Sequence, residues 1–170
     1  MKAFDDWMNG GGISSLFSGI AVLVLVSPIL ALIHELGHAS VGLLRTKGLV
    51  VVHLGGTPAR WRLRIGRLQL ELNPRLAARN EPPAFAATYA RLGVGARAMS
   101  AVAGPFFHAV AAFLIVLIGA RVHSATVEVA GGLGTLWALS SFVPRRRGHG
   151  SDGAHLLDAL RGRVTAPTEL

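Results

Sequence analysis

Eighteen consecutive residues, Leu16 to Ile33, carry no charge, and the run leads straight into "HELGH" at residues 34–38. An apolar helix of that length can cross the roughly 30 Å hydrocarbon core of a bilayer, where only helices and closed barrels satisfy their own backbone hydrogen bonds. Continued to Leu44, the helix would extend over about 43 Å at ~1.5 Å per residue, so that one end emerges at a membrane face. An ionised carboxylate near the centre of a span costs about 2.5–3.5 kcal/mol on insertion scales. Glu35 between two histidines therefore calls for a compensating charge.

The composition agrees with a membrane chain. Hydrophobic residues make up 51% and charged residues 15%, with mean hydropathy +0.49. Three spans are predicted, at about 16–44, 95–121 and 126–143, in a single membrane-embedded domain over residues 1–170. The first is read as a span and not a cleaved leader, because Asp5 and Asp6 offset Lys2 and no small-residue cleavage site precedes the cluster. The formal net charge of +8 raises nucleic acid as a partner, but the positions of the charges argue against it. Residues 45–97 hold ten Lys or Arg against Glu71 and Glu81, the turn after the second span holds Arg121, and Arg145, Arg146 and Arg147 follow the third. The positive-inside rule then predicts a multi-pass protein of the cell membrane, with its N-terminus outside and both basic segments in the cytoplasm. A lipid bilayer is the expected partner, and no nucleic acid.

The long loop has structure of its own. "LVVVHL" (49–54) reads as an apolar strand, and "RWRLRIGRLQLEL" (60–72) alternates apolar with polar on either side of Gly66-Arg67. That period of two predicts a hairpin, giving a β-rich loop over about 49–72 between the first and second spans. Residues 73–83, ending in Pro82-Pro83, read as a linker. The predicted fold class is mainly α: a polytopic three-helix transmembrane core carrying a small cytoplasmic β-hairpin or sheet.

His34 and His38 are four residues apart, so a helix projects both from one face. Two imidazoles so placed can hold one Zn²⁺, with Glu35 beside them as general base, the H-E-x-x-H pattern. Without cysteine, every metal ligand must come from His, Asp or Glu. A catalytic zinc needs a third protein ligand, and His108, Glu128, Asp152, His149, His155 and Asp158 are the candidates. Asp152 is favoured by its position in "GSDGAHLLDAL" (150–160), although Ser151 or Asp152 there can equally cap a short helix. The topology adds a separate argument: the basic segments put residues 34–38 and 152 on the same membrane side, and Glu128 and His123 on the other.

"HELGH" in the first span, "AGPFFH" (103–108) in the second and "SSFVPRRRGHGSDGAHLL" (140–157) after the third resemble, in that order, the site-2 proteases. These are intramembrane zinc metalloproteases, and the resemblance covers residues 16–161 as a minimal three-span core with no PDZ or CBS domain. It implies His34, His38 and Asp152 as ligands of one Zn²⁺ and Glu35 as catalytic base. It also implies a substrate that is a membrane protein or peptide with a transmembrane segment, cut in or near that segment. Ser141 stands where the family usually has an asparagine that holds the substrate or the oxyanion, and His108 follows Ala-Gly-Pro where an asparagine is frequent. Both are thus candidates for oxyanion or substrate support. The departures leave open a proteolytically inactive zinc-binding scaffold or regulator. A metal transporter fits three spans poorly.

Overall fold

In the computed structural model the uncharged run lies inside one helix, α1 (Gly12–Arg45), of 34 residues. The structure describes residues 12–54, 59–73, 86–88, 92–145 and 151–162. Within them the order continues with β1 (Val50–Leu54), β2 (Trp61–Ile65), β3 (Leu68–Leu72), β4 (Ala86–Thr88), α2 (Val94–Arg121), α3 (Ala125–Ser140) and α4 (Asp152–Leu160). The chain is mainly helical, as its hydropathy predicts.

Helices α1 and α2 are long and apolar enough to cross a membrane, with mean hydropathies of 2.7 and 2.3 over their most apolar stretches. Both leave large apolar side chains outside, among them Phe17, Leu25, Ile29, Phe113 and Leu114. The third expected span is shorter than its predicted range of 126–143. Helix α3 has 16 residues and is about 24 Å long, less than the ~30 Å core. Its last turn is drawn off by hydroxyls: Ser140 and Ser141 donate to the carbonyls of Trp137 and Ala138, each at 2.7 Å, and residues 141–143 form a turn.

The three long helices pack on one another through small residues. Gly131 of α3 lies directly against Val116 and Ala112 of α2, as its place in a Gly-Gly-Leu-Gly stretch suggests. Leu30, Ala112, Ala130 and Ala138 are buried among the helices.

The sheet has the order β2-β3-β1-β4. The predicted hairpin forms, with Trp61 opposite Leu72 and Ile65 opposite Leu68. Strand β1 joins β3 in parallel, Val50 beside Leu68 and Leu54 beside Leu72. Strand β4 pairs with β1 antiparallel, so the β-rich segment runs past the expected limit of residue 72. Most of the predicted linker (74–83) lies outside the described residues. Buried Ala39, Val50 and Val52 form a core with Leu43, Leu54, Leu68 and Leu70, which fastens one sheet face to the end of α1. Arg67, in the hairpin turn, locks the joint: its guanidinium donates to the carbonyls of Leu43, at 2.6 Å, and Thr46. A cation there meets carbonyls that the helix end leaves without an intrahelical donor.

Candidate metal centre

Just before the sheet core at Ala39, α1 presents His34, Glu35 and His38, whose ligand atoms lie within 4.8 Å of one another. Glu35 and His38 are buried. The tightest cluster, however, includes a residue from the other end of the chain. The Nε2 atoms of His34 and His38 are 3.0 Å apart. Asp152 sets one carboxylate oxygen 3.2 Å from His34 Nε2 and the other 3.1 Å from His38 Nε2. Two imidazole nitrogens and two carboxylate oxygens thus meet at separations of 3.0–3.2 Å between side chains. A tetrahedral ion about 2.0 Å from its ligands needs donors roughly 3.3 Å apart, so these separations suit a metal ion of that size. Glu35 brings a further carboxylate oxygen within 4.8 Å of both imidazoles.

The chemistry of the donor set also suits a cation. His38 Nδ1 donates to the carbonyl oxygen of Ser100 at 2.7 Å, leaving the lone pair of the neutral ring on Nε2. That lone pair faces a second imidazole nitrogen and a carboxylate. Burial opposes ionisation of Asp152, yet the nitrogens of His34 and His38 hold its carboxyl well below the usual carboxylate range. The group therefore stays an anion facing the two imidazoles.

Local sequence explains how these pieces meet. Gly104 of α2 lies flat against the His38 ring, and any side chain there would overlap it. Gly37 makes the reciprocal approach to the backbone at Ala103, so "HELGH" and "AGP" are two sides of one helix crossing. At α4, Ser151 supplies the cap: its hydroxyl accepts from Ala154 N and donates to Val143 O at 2.7 Å. This resolves the two roles open to Asp152, which is left free to face the histidines. Gly153 then donates its N–H to Ser141 O at 3.0 Å and packs against the Phe142 carbonyl, where a Cβ has no room. The Asp-Gly pair thus combines the carboxylate that faces the histidines with the contact that seats it.

The two support candidates differ. The Ser141 hydroxyl is spent on Ala138, so Ser141 serves the site through its main-chain carbonyl. His108 is buried at 2% exposure, edge-on to His34 (ring centroids 5.7 Å apart) and to Trp137 (4.8 Å). Its Nε2 has no hydrogen-bond partner among the described residues. Glu128 lies elsewhere, against Gly119 at the α2–α3 turn. Its neighbour Val129 touches Gly19, fifteen residues and about 22 Å before His34 on α1. His123 occupies that same turn, His155 and Asp158 belong to α4, and His149 falls outside the described residues. Two contributors had no readable sign: Ser100, which acts through its carbonyl, and Trp137, which reads as one more apolar span residue.

No protein-family model, curated protein or solved structure matches this chain.

Proposed function

We propose that the chain is an intramembrane zinc metalloendopeptidase that hydrolyses a peptide bond in or near the transmembrane segment of a membrane protein, as the resemblance to site-2 proteases implies. The observation that carries this reading is the convergence of His34, His38 and Asp152, with Glu35 in the same cluster as the two histidines. Two imidazoles, one carboxylate and no thiolate form a donor set used by catalytic zinc. Bound there, zinc would polarise the scissile carbonyl and acidify a water molecule.

The protein residues supply the rest. Glu35 accepts a proton as the water oxygen attacks the carbonyl carbon, and returns it to the amine nitrogen as the C–N bond breaks. Asp152, held by the capped start of α4, keeps the two histidines aligned. We assign the unpaired Nε2 of His108 to the substrate carbonyl oxygen, where a donor strengthens its hold as negative charge develops. Water has access, since the His34 and Asp152 side chains keep 16% and 15% of their surface exposed. In this reading α1 and α2 cross the bilayer with the shorter α3 packed on them inside it, the outward apolar side chains meet lipid, and the basic segment 45–97 sets the site toward the cytoplasm.

One observation favours a second reading, a metal-binding scaffold without proteolysis: the Ser141 hydroxyl is occupied by Ala138. The experiment that separates the two compares membranes of cells expressing the wild type and Glu35→Gln, with zinc content measured in both purified proteins. Proteolysis predicts that membrane-protein fragments disappear in the variant while zinc is retained. Identical fragments, with equal zinc, would sink the protease reading and leave the scaffold.

A further inference from the structure

The last turns of α1 and the first turns of α2 enclose an open groove of about 310 Å³, lined by Val41, Leu44, Arg45 and Met99. Three of its walls are apolar and the fourth is a cation. Val41 is buried at 5% exposure, while Leu44 and Met99, 82% and 48% exposed, open the groove to its surroundings. Arg45 pairs with no carboxylate among the described residues; its guanidinium meets the Met99 thioether, Nη2 to Sδ at 3.5 Å. A thioether is a weak acceptor. Neighbouring cations are better served: Arg67 donates to the carbonyls of Leu43 and Thr46, Arg97 to Leu92 O at 2.8 Å, and Arg62 pairs with Glu71.

We propose that this groove binds one anionic phospholipid, with the headgroup phosphate on the Arg45 guanidinium and the start of an acyl chain along Val41, Leu44 and Met99. This rests on the reading of α1 and α2 as membrane spans. Depth agrees with it: α1 is about 51 Å long against a ~30 Å core, so Arg45, its last residue, lies near a membrane face. Val41 is one turn deeper, and Met99, the sixth residue of α2, stands about 7.5 Å inside the start of that helix. Cation and apolar walls thus succeed one another in the order in which a lipid presents phosphate and chain.

Size and charge select the occupant. A helix is at least ~10 Å across, so a single turn of one fills about 420 Å³, more than the groove holds, whereas an acyl chain is thinner. A second copy would bring its own Arg45 and Lys47 to the same rim, where a phosphate complements them. A guanidinium also takes a phosphate through two parallel N–H···O bonds. The groove lies beside the crossing that orients His38: Val41 is three residues past His38, and Met99 precedes Ser100, whose carbonyl holds the ring. A lipid seated there braces that crossing.

The test uses the full chain in phosphatidylcholine vesicles that carry a minor fraction of photoreactive phosphatidylglycerol, its diazirine near the glycerol end of the acyl chain. Photoreactive phosphatidylcholine is the parallel probe, and labelled positions are mapped by mass spectrometry. Phosphatidylglycerol should label residues 41–44 and 99 in preference to phosphatidylcholine. Arg45→Gln should cut that preference about fivefold, the weight of one cation at an anionic surface, and Arg64→Gln, at an exposed position on the hairpin, should leave it unchanged. Met99→Trp, which fills the groove and keeps the cation, should lower labelling there by both lipids. Equal labelling by the two probes in the wild type overturns the inference, as do equal effects of Arg45→Gln and Arg64→Gln, or labelling that Met99→Trp leaves intact. Labels on the outward side chains of Val24, Leu25 and Ile29 keep the two claims apart. Labelling there with a bare groove defeats the inference alone and marks a protein occupant; no labelling at either defeats the spanning reading as well.

Discussion

His38 donates its Nδ1 proton to the main-chain carbonyl of Ser100 across 2.7 Å, joining the histidine face of α1 to α2. The bond fixes which nitrogen keeps a lone pair, and the one left over faces His34 and Asp152. Because the acceptor is backbone, the contact is best probed through its neighbour. Gly104→Ala puts a methyl group into the His38 ring and must rotate it out of line. Misaligned ligand support typically costs 10–100-fold in metal affinity, roughly that loss is expected here, and chelator competition would measure it. Gly95→Ala, on the same helix with open space around it, should leave affinity unchanged.

Asp152 and Gly153 separate ligation from seating. Asp152→Asn keeps the helix start and removes the charge, while Gly153→Ala keeps the charge and forces α4 away from the Phe142 carbonyl. Both variants should lose metal. Only Gly153→Ala should also speed hydrogen exchange across α4, because the Ser141–Gly153 bond opens with it. Equal exchange in the two would show that the α4 contact does not depend on that close approach.

If His34, His38 and Asp152 hold a metal together, its removal should be felt by the whole fold, since these residues join α1 to α4. A metal present at a hundred times its dissociation constant adds about 2.7 kcal/mol to stability. Chelation should therefore lower the melting temperature, and re-addition of zinc should restore it. In His34→Ala, His38→Ala and Asp152→Ala the metal-dependent shift should vanish. A shift that survives in all three would place the metal elsewhere.

What could be read in the chain beforehand was whatever repeats along it. The apolar run of α1, the four-residue spacing of His34 and His38 and the alternation of β2 and β3 are local patterns, and each took the predicted form. The parallel union of β1 with β3 is a contact between distant segments that no period announces. Strand β4, Ala-Ala-Thr, lacks the alternation that marks its neighbours. The third helix stops at Ser140 because serine hydroxyls compete for its last carbonyls, where hydropathy alone carried it to 143. The sequence leaves Asp152 open between cap and ligand; Ser151 takes the cap, and the Asp152 carboxylate faces His34 and His38. Ser100 was out of reach, since any residue offers a carbonyl.

His108 gives a prediction with two opposite signs. Its Nε2 is buried and unpaired among the described residues, and such an atom costs about 1–3 kcal/mol that the fold must absorb. His108→Phe keeps a flat ring against His34 and Trp137 while deleting that atom. The metal-free protein should therefore melt higher, by about 2–4 °C for each kcal/mol recovered in a chain of this size. If His108 donates to the substrate carbonyl, cleavage should fall at the same time, with zinc content unchanged, and His108→Asn should restore part of it. Stability and activity would then move apart, as they do where a group is kept for function at a cost to the fold. A variant that is more stable and cuts as well as the wild type would reduce His108 to a packing residue.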